Sequence, residues 1–117
     1  MEPKYLIEEY VDEAGAAPFG KWLLGLKDKR AQARIRARIT RASFGNFGDW
    51  KKVTGPGSSG LYEMREHHGP GYRVYYSVVG QTILLLLAGS TKKDQNKAIA
   101  AAQARLADYE TRSQTDD

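Results

Sequence analysis

A chain of 117 residues has the length for one modest hydrophobic core and no room for a second, so a single domain spanning 1–117 is expected. The absence of cysteine excludes disulfides and thiolate metal sites and suits a reducing cytoplasm; no stretch carries a signal-peptide pattern, and the longest apolar run, Ile83 to Ala88, is far too short to span a bilayer. The net charge of +4 hides an asymmetry: between Lys21 and Lys97 fifteen Lys or Arg stand against five Asp or Glu, whereas the two ends together hold three against nine. A body this basic suits a polyanionic partner, nucleic acid being the commonest, although a solvated Lys- and Arg-rich surface accounts for the same count.

In chain order, Lys4 to Val11 reads as a short strand with Tyr5, Ile7 and Val11 inward, followed by a polar, small-residue connection from Asp12 to Ala17. Pro18 suits the first turn of a helix, where its missing N–H costs nothing. Phe19, Trp22, Leu23 and Leu26 follow at i, i+3, i+4 and i+7, one apolar stripe on about three turns that end near Lys27-Asp28. A second helix is expected over Lys27 to Phe44, with Ala31, Ile35, Ile39 and Ala42 on one face and Lys29, Arg30, Arg34, Arg36, Arg38 and Arg41 on the rest. The two helices form a hairpin laid on a sheet by its apolar side. Arg34, Arg38 and Arg41 are candidate phosphate contacts, and an ordinary solvated face explains them equally well.

Gly45 to Asp49 stops the helix, since Gly and Asn tolerate the left-handed conformation of a helix end. Trp50 to Val53 is short and extended and carries Lys51 and Lys52, candidates for contacts to a nucleic-acid backbone. Gly55-Pro56-Gly57-Ser58-Ser59-Gly60 is a flexible connector, because it lacks the GxxxxGK[ST] spacing and the following helix of a phosphate-binding loop.

Leu61 to Glu66 and Tyr72 to Val79 are strand-like runs separated by His67-His68-Gly69-Pro70-Gly71, turn chemistry throughout. Simple antiparallel register across that five-residue loop pairs Glu66 with Tyr72, Arg65 with Arg73, Met64 with Val74 and Glu63 with Tyr75. Alternation then gives Tyr62, Met64, Val74 and Tyr76 one face, a core face, and Glu63, Arg65, Arg73 and Tyr75 the other. Two guanidinium groups directly opposite each other cost about 0.2–1 kcal/mol unless something anionic sits between them. Either a phosphate site or a bridge by Glu63 satisfies that requirement.

Gly80-Gln81 is a tight turn, and Thr82 to Ala88 is apolar at consecutive positions, as in a strand covered on both faces. Gly89-Ser90-Thr91 leads to Lys92 and Lys93 and then to a helix over about Asp94 to Tyr109, with Ile99, Ala102, Leu106 and Tyr109 buried; Thr111 to Asp117 reads as a frayed acidic tail. The fold class is α+β, in the order β-α-α-β-β-β(-β)-α, an antiparallel sheet with a helical hairpin on one face and a C-terminal helix. HExxH, GxSxG and the Rossmann fingerprint are missing, and the adjacent His67 and His68 make a poor metal pair and read as hairpin-loop residues. No metal or cofactor is expected.

This order resembles the toxins of bacterial toxin–antitoxin modules in the RelE/ParE/HigB superfamily, and most closely their phage-derived, Gp49-like "addiction module killer protein" branch. The resemblance is carried by Pro18-Phe19 with Trp22-Leu23 and Leu26, by Gly45 to Asp49, by Glu63-Met64-Arg65 and, most specifically, by Gly69-Pro70-Gly71-Tyr72-Arg73-Val74-Tyr75-Tyr76. It continues through Ile83 to Leu87, Gly89, Lys92 and Gln95 to Ile99 and covers about residues 4 to 107.

The resemblance implies a small cytoplasmic toxin, neutralised by a cognate antitoxin, a small helix-turn-helix protein encoded nearby, that enters the ribosome and cleaves mRNA without metal. In such relatives the ribose 2′-hydroxyl attacks the adjacent phosphate, basic side chains stabilise the transition state, and a further group moves the proton. Arg73 matches the strand arginine at the scissile phosphate, Lys92 falls in the basic segment before the last helix, and Arg65 and Glu63 match a pattern of this branch. Tyr75 would wall off a base or ribose, and Lys93 would extend the RNA contacts. Arg73→Ala is then expected to abolish toxicity with the fold nearly intact. Where many ribosome-dependent relatives carry a catalytic Tyr in the last helix this chain has Ile99, where some carry a strand Lys it has Glu63, and Ser90-Thr91 replaces the usual Gly-Asp. Glu63 is then the candidate general base, since a carboxylate within reach of a 2′-hydroxyl could accept its proton. A protein-binding toxin, such as the gyrase-poisoning members, and a relic that only binds its antitoxin are the alternatives.

Overall fold

A computed structural model describes residues 2–115, and among them one sheet is sandwiched between two helical layers. The elements are β1 (Leu6–Glu9), α1 (Pro18–Leu24), α2 (Lys29–Ser43), β2 (Trp50–Lys52), β3 (Tyr62–Glu66), β4 (Tyr72–Val79) and β5 (Ile83–Thr91), then a 3₁₀ turn (Lys92–Asp94) that runs into α3 (Gln95–Thr115). Strand order is β1-β5-β4-β3-β2. The α+β layout expected from the sequence, with its helical hairpin and C-terminal helix, is the one observed.

The central strands follow the hydrophobic pattern. β3 pairs with β4 in the expected register, Glu63 opposite Tyr75, Met64 opposite Val74 and Arg65 opposite Arg73. Met64, Val74, Tyr76, Leu84 and Leu86 face α1 and α2, together with Phe19, Leu23, Ala31, Ile35, Ile39 and Ala42. On the opposite face Leu61, Tyr75, Leu85, Leu87 and Ala88 meet Ala98, Ala102 and Leu106 of α3. β5 is thus covered on both sides, the reason its apolar residues run consecutively instead of alternating.

A β-bulge lies between Tyr75 and Tyr76: their partners are Ala88 and Leu86, so Leu87 is the extra residue. Leu87 and Ala88 therefore both belong to the α3 core, and the Leu87 carbonyl accepts a hydrogen bond from Arg105 Nη1 of α3 at 2.8 Å. Beyond the bulge Gly89 returns to the α1 side. A Cβ built there would meet the rigid Trp22 ring far inside van der Waals contact, so the absence of a side chain at 89 is what lets α1 approach the sheet.

The helical hairpin differs from expectation in its joint. α1 stops at Leu24, and Leu26 packs on the core from the turn rather than from a third helical turn. The end is closed from α2: Gln32 Nε2 donates to the carbonyls of Leu26 (2.7 Å) and Leu24 (3.4 Å). Asp28 caps α2, its Oδ1 accepting from the backbone N–H of Arg30 and Ala31, and its Oδ2 lies 3.0 Å from His68 Nε2 of the β3–β4 loop.

Three further expectations are corrected. β1 adds to the sheet edge parallel to β5, Leu6 opposite Ile83, and it leaves Ile7 and Val11 exposed while Tyr10 is the buried residue. A four-residue edge strand with α1 above only part of it has no complete cover for alternate apolar positions. The Gly55–Gly60 connector is docked, with Ser58 buried and its Oγ 2.9 Å from Gln103 Nε2 of α3. Residues 111–115 continue α3 rather than fraying, and the remainder of the expected tail lies outside the described residues. No helix among the described residues is long and apolar enough to cross a membrane.

Two stability outcomes follow. Gly89→Ala is expected to cost about 1–3 kcal/mol by overpacking against Trp22, and pairing it with Trp22→Leu should recover part of that loss in denaturant titrations. Asp28 is a carboxylate whose pKa is held below the ordinary 3.8, first by the N–H of Ala31 and then by His68. Because the folded value is the lower one, its stabilisation is present above pH 3.8 and lost as pH falls through the folded value. Thermal melts of Asp28→Ala and the unaltered chain should therefore differ at neutral pH and converge in acid.

Candidate functional site

On the α3 face of the sheet, β2, β3 and β4 bring Lys51, Glu63, Arg65 and Arg73 together, because Lys51 pairs with Glu63 and Arg65 with Arg73 across the ladders. Glu63 is the centre: its side chain is only 5% exposed, with Oε1 3.4 Å from Lys51 Nζ and 3.5 Å from Arg65 Nη2, and Oε2 3.6 Å from Arg73 Nε. Glu63 thus bridges the two facing arginines, as one of the two sequence readings required. Three cations around one carboxylate leave a surplus of two positive charges around Glu63, which suits the face to an anion.

Arg73 is the most constrained of the three cations. Its side chain is 13% exposed, and Nε also donates to Gln95 Oε1 at 3.0 Å, tying β4 to the first residue of α3. Arg65 is more open, and its Nε is buried without a hydrogen-bond partner. The two guanidinium groups border a cleft of about 180 Å³ whose lining also includes Glu66, His67, Gly71, Tyr72 and Lys92. Lys92 is placed there by the bond from its N–H to the Gly71 carbonyl, which joins the end of β5 to the hairpin loop.

The structure redistributes the other candidates. Tyr75 lies between the sheet and α3 with no exposure and cannot wall off a base; burial pushes its phenol up, and its hydroxyl is 3.4 Å from Ser90 Oγ. The side-chain alternation holds, and α3 covers that end of the face. Arg38 is turned inward, 8% exposed, and its Nη2 donates to the Asp49 carbonyl at 2.9 Å above Gly48, where only a glycine leaves room for the guanidinium. It pins the α2–β2 loop and cannot contact RNA. Arg34 and Arg41 are exposed on α2, across the sheet from Glu63, with Arg34 3.9 Å from Glu66. Lys52 pairs with Tyr62 and so faces away from Lys51. Lys93 is exposed beside Lys92 but does not line the cleft. Lys51, Glu63, Arg65, Arg73 and Lys92 are therefore assembled; Lys52, Tyr75, Lys93, Arg34, Arg38 and Arg41 are not.

Glu63 is displaced from its expected role. Both carboxylate oxygens face cations in a nearly closed position, so neither is presented to a ribose hydroxyl. One cleft residue was missed: His67, whose side chain is 76% exposed, lies with Nε2 2.6 Å from Asp49 Oδ2. The carboxyl of Asp49 is held below its ordinary range, first by this hydrogen bond and then by the Arg65 and His67 charges. Residues 49 and 67 are too far apart in sequence for the pairing to be read there.

Residues 21–110 match the family model described as "Phage derived protein Gp49-like". The chain belongs to this Gp49-like family. An uncharacterized protein of Haemophilus influenzae is 45% identical to it over 85 residues, which are 73% of this chain and 82% of the relative. The matched span of the Gp49-like chain runs from α1 into α3 and contains every cleft-lining residue.

The charge arrangement orders the expected losses. Glu63→Gln leaves three cations without their carboxylate and should cost about 3 kcal/mol, as breaking a buried ion pair does. Arg73→Ala leaves Glu63 two cations and should cost less. Millimolar inorganic phosphate should raise the melting temperature of Glu63→Gln more than that of the unaltered chain.

Proposed function

We propose that this chain is the toxin of a type II toxin–antitoxin module, a member of the RelE/ParE/HigB superfamily that acts in the cytoplasm as a metal-independent, ribosome-dependent mRNA endoribonuclease neutralised by a cognate antitoxin. The observation that carries the reading is the surplus of two positive charges around Glu63, at the edge of a cleft with Lys92 on its rim. Membership of a phage-derived Gp49-like family supports the same class of protein.

The chemistry suits this geometry. As the 2′-oxygen attacks phosphorus and the P–O5′ bond breaks, charge builds on the non-bridging oxygens; pre-positioned guanidinium groups stabilise it with no reorganisation at the moment of reaction. Arg73 is held from two sides by Glu63 and Gln95, and Arg65 and Lys92 approach the same cleft. Glu63 orients the cations and lowers their mutual repulsion. Lys51 lies on the same face, at the sheet edge where a strand of RNA could enter.

Expression without a partner should arrest translation and leave cut mRNA, and co-expression with a cognate antitoxin should restore growth. Translation arrest with intact mRNA, or DNA damage in its place, would instead indicate a protein-binding toxin acting on a target such as gyrase. In cleavage assays on programmed ribosomes, Arg73→Ala should lose about 10²–10³ in rate, and Arg73→Lys should recover only part of it, since lysine keeps the charge without the planar fork.

A further inference from the structure

The cleft has an electrophile-stabilising side and, on the geometry so far, no group to move the proton. Ile99 offers no titratable atom, Glu63 is closed within its cations, and Glu66 lines the cleft with its part-buried carboxylate facing Arg34 of α2 at 3.9 Å. Tyr72 lines the cleft but is buried in the α1–α2 core, and Tyr75 is closed to solvent. His67 is different. It stands on the rim beside Arg65, with its ring largely exposed and Nε2 held at 2.6 Å by Asp49.

Asp49 is itself fixed. Its carbonyl accepts from Arg38 Nη2 and from the backbone N–H of Arg65, both at 2.9 Å, so α2 and β3 together fix the backbone that carries the carboxylate. A carboxylate on one imidazole nitrogen fixes the ring's orientation and tautomer and leaves the other nitrogen free for proton transfer. Here the free nitrogen is Nδ1.

We infer that His67, positioned by Asp49, is the general base for RNA cleavage at this cleft, an inference that rests on the ribonuclease reading above. Nδ1 accepts the 2′-hydroxyl proton as the O2′–P bond forms. The P–O5′ bond breaks, giving a 2′,3′-cyclic phosphate, and the departing O5′ takes its proton from water; the imidazolium then returns its proton to solvent. No oxidant, reductant or metal is needed for the balance. His67 is the catalytic residue and Asp49 a positioning residue. The charged and titratable groups that touch His67 or line the cleft with it are Asp49 from the α2–β2 loop, Arg65 and Glu66 from β3, Tyr72 and Arg73 from β4 and Lys92 from the 3₁₀ turn, while the neighbouring His68 is held by Asp28.

The test is single-turnover cleavage of mRNA on programmed ribosomes between pH 5 and 8.5 for the unaltered chain, His67→Gln, His67→Ala and Asp49→Asn, with folding checked by thermal melts. The expected result is a loss of about 100-fold or more for both His67 variants, with ribosome binding kept and the pH dependence of the unaltered chain's rate, its rising limb, absent from what remains. Asp49→Asn should show a smaller loss and a displaced limb. Cleavage by His67→Gln at the full rate with an unchanged pH profile would overturn the dyad and leave the ribonuclease reading standing. Absence of cleavage by the unaltered, folded chain would overturn both.

Discussion

The register of β3 on β4 is the constraint on which the rest of the molecule depends. Side chains alternate with a period of two, so a one-residue slip of β3 would send Tyr62 and Met64 out of the α1–α2 core and turn Glu63 and Arg65 into it, while β5 holds Val74 and Tyr76 in place. The apolar face therefore excludes odd slips, the short hairpin loop excludes even ones, and the pairing that remains sets Arg65 against Arg73. Hydrophobic burial, worth about 25 cal/mol per Å² of apolar surface, enforces a like-charge contact that the polar face would not choose. Glu63 offsets part of that repulsion, and the surplus that remains makes the face suited to an anion.

The same reasoning explains what could be read from the sequence. Register, hairpin loop, core faces of α2 and α3 and the doubly covered β5 all follow from local periodicity, which reports whether a position is apolar and how far the next one lies. Periodicity does not report what an element packs against. Tyr75 was correctly assigned to a face but not to the region under α3, and Arg38 was counted with the solvated arginines although it crosses to the Asp49 carbonyl. The docked Ser58 and the His67–Asp49 contact depend on loops meeting across the fold, and such meetings leave no spacing signal.

Long-range ties also decide how the cleft is held. Its lining comes from β3, the hairpin loop, β4 and the turn before α3, and each segment is fastened by a contact to another element: Arg65 to Asp49, His68 to Asp28, Arg73 to Gln95 and Lys92 to Gly71. Buried or part-buried polar contacts of this kind fix orientation more than they add stability. A site so distributed is rigid where its cations sit and open where His67 projects.

The parallel edge strand has a consequence for the order in which the molecule is made. Leu6 pairs with Ile83, so β1 has no partner until β5, 77 residues further on, has been synthesised. Closing that span carries the loop-closure entropy of a long non-local contact, which slows folding relative to helices and hairpins. Gln95, which completes the support of Arg73, emerges later still. A nascent chain consequently holds its cationic face unfinished while it is tethered to the translation machinery, and the face becomes ordered only when α3 closes over the sheet.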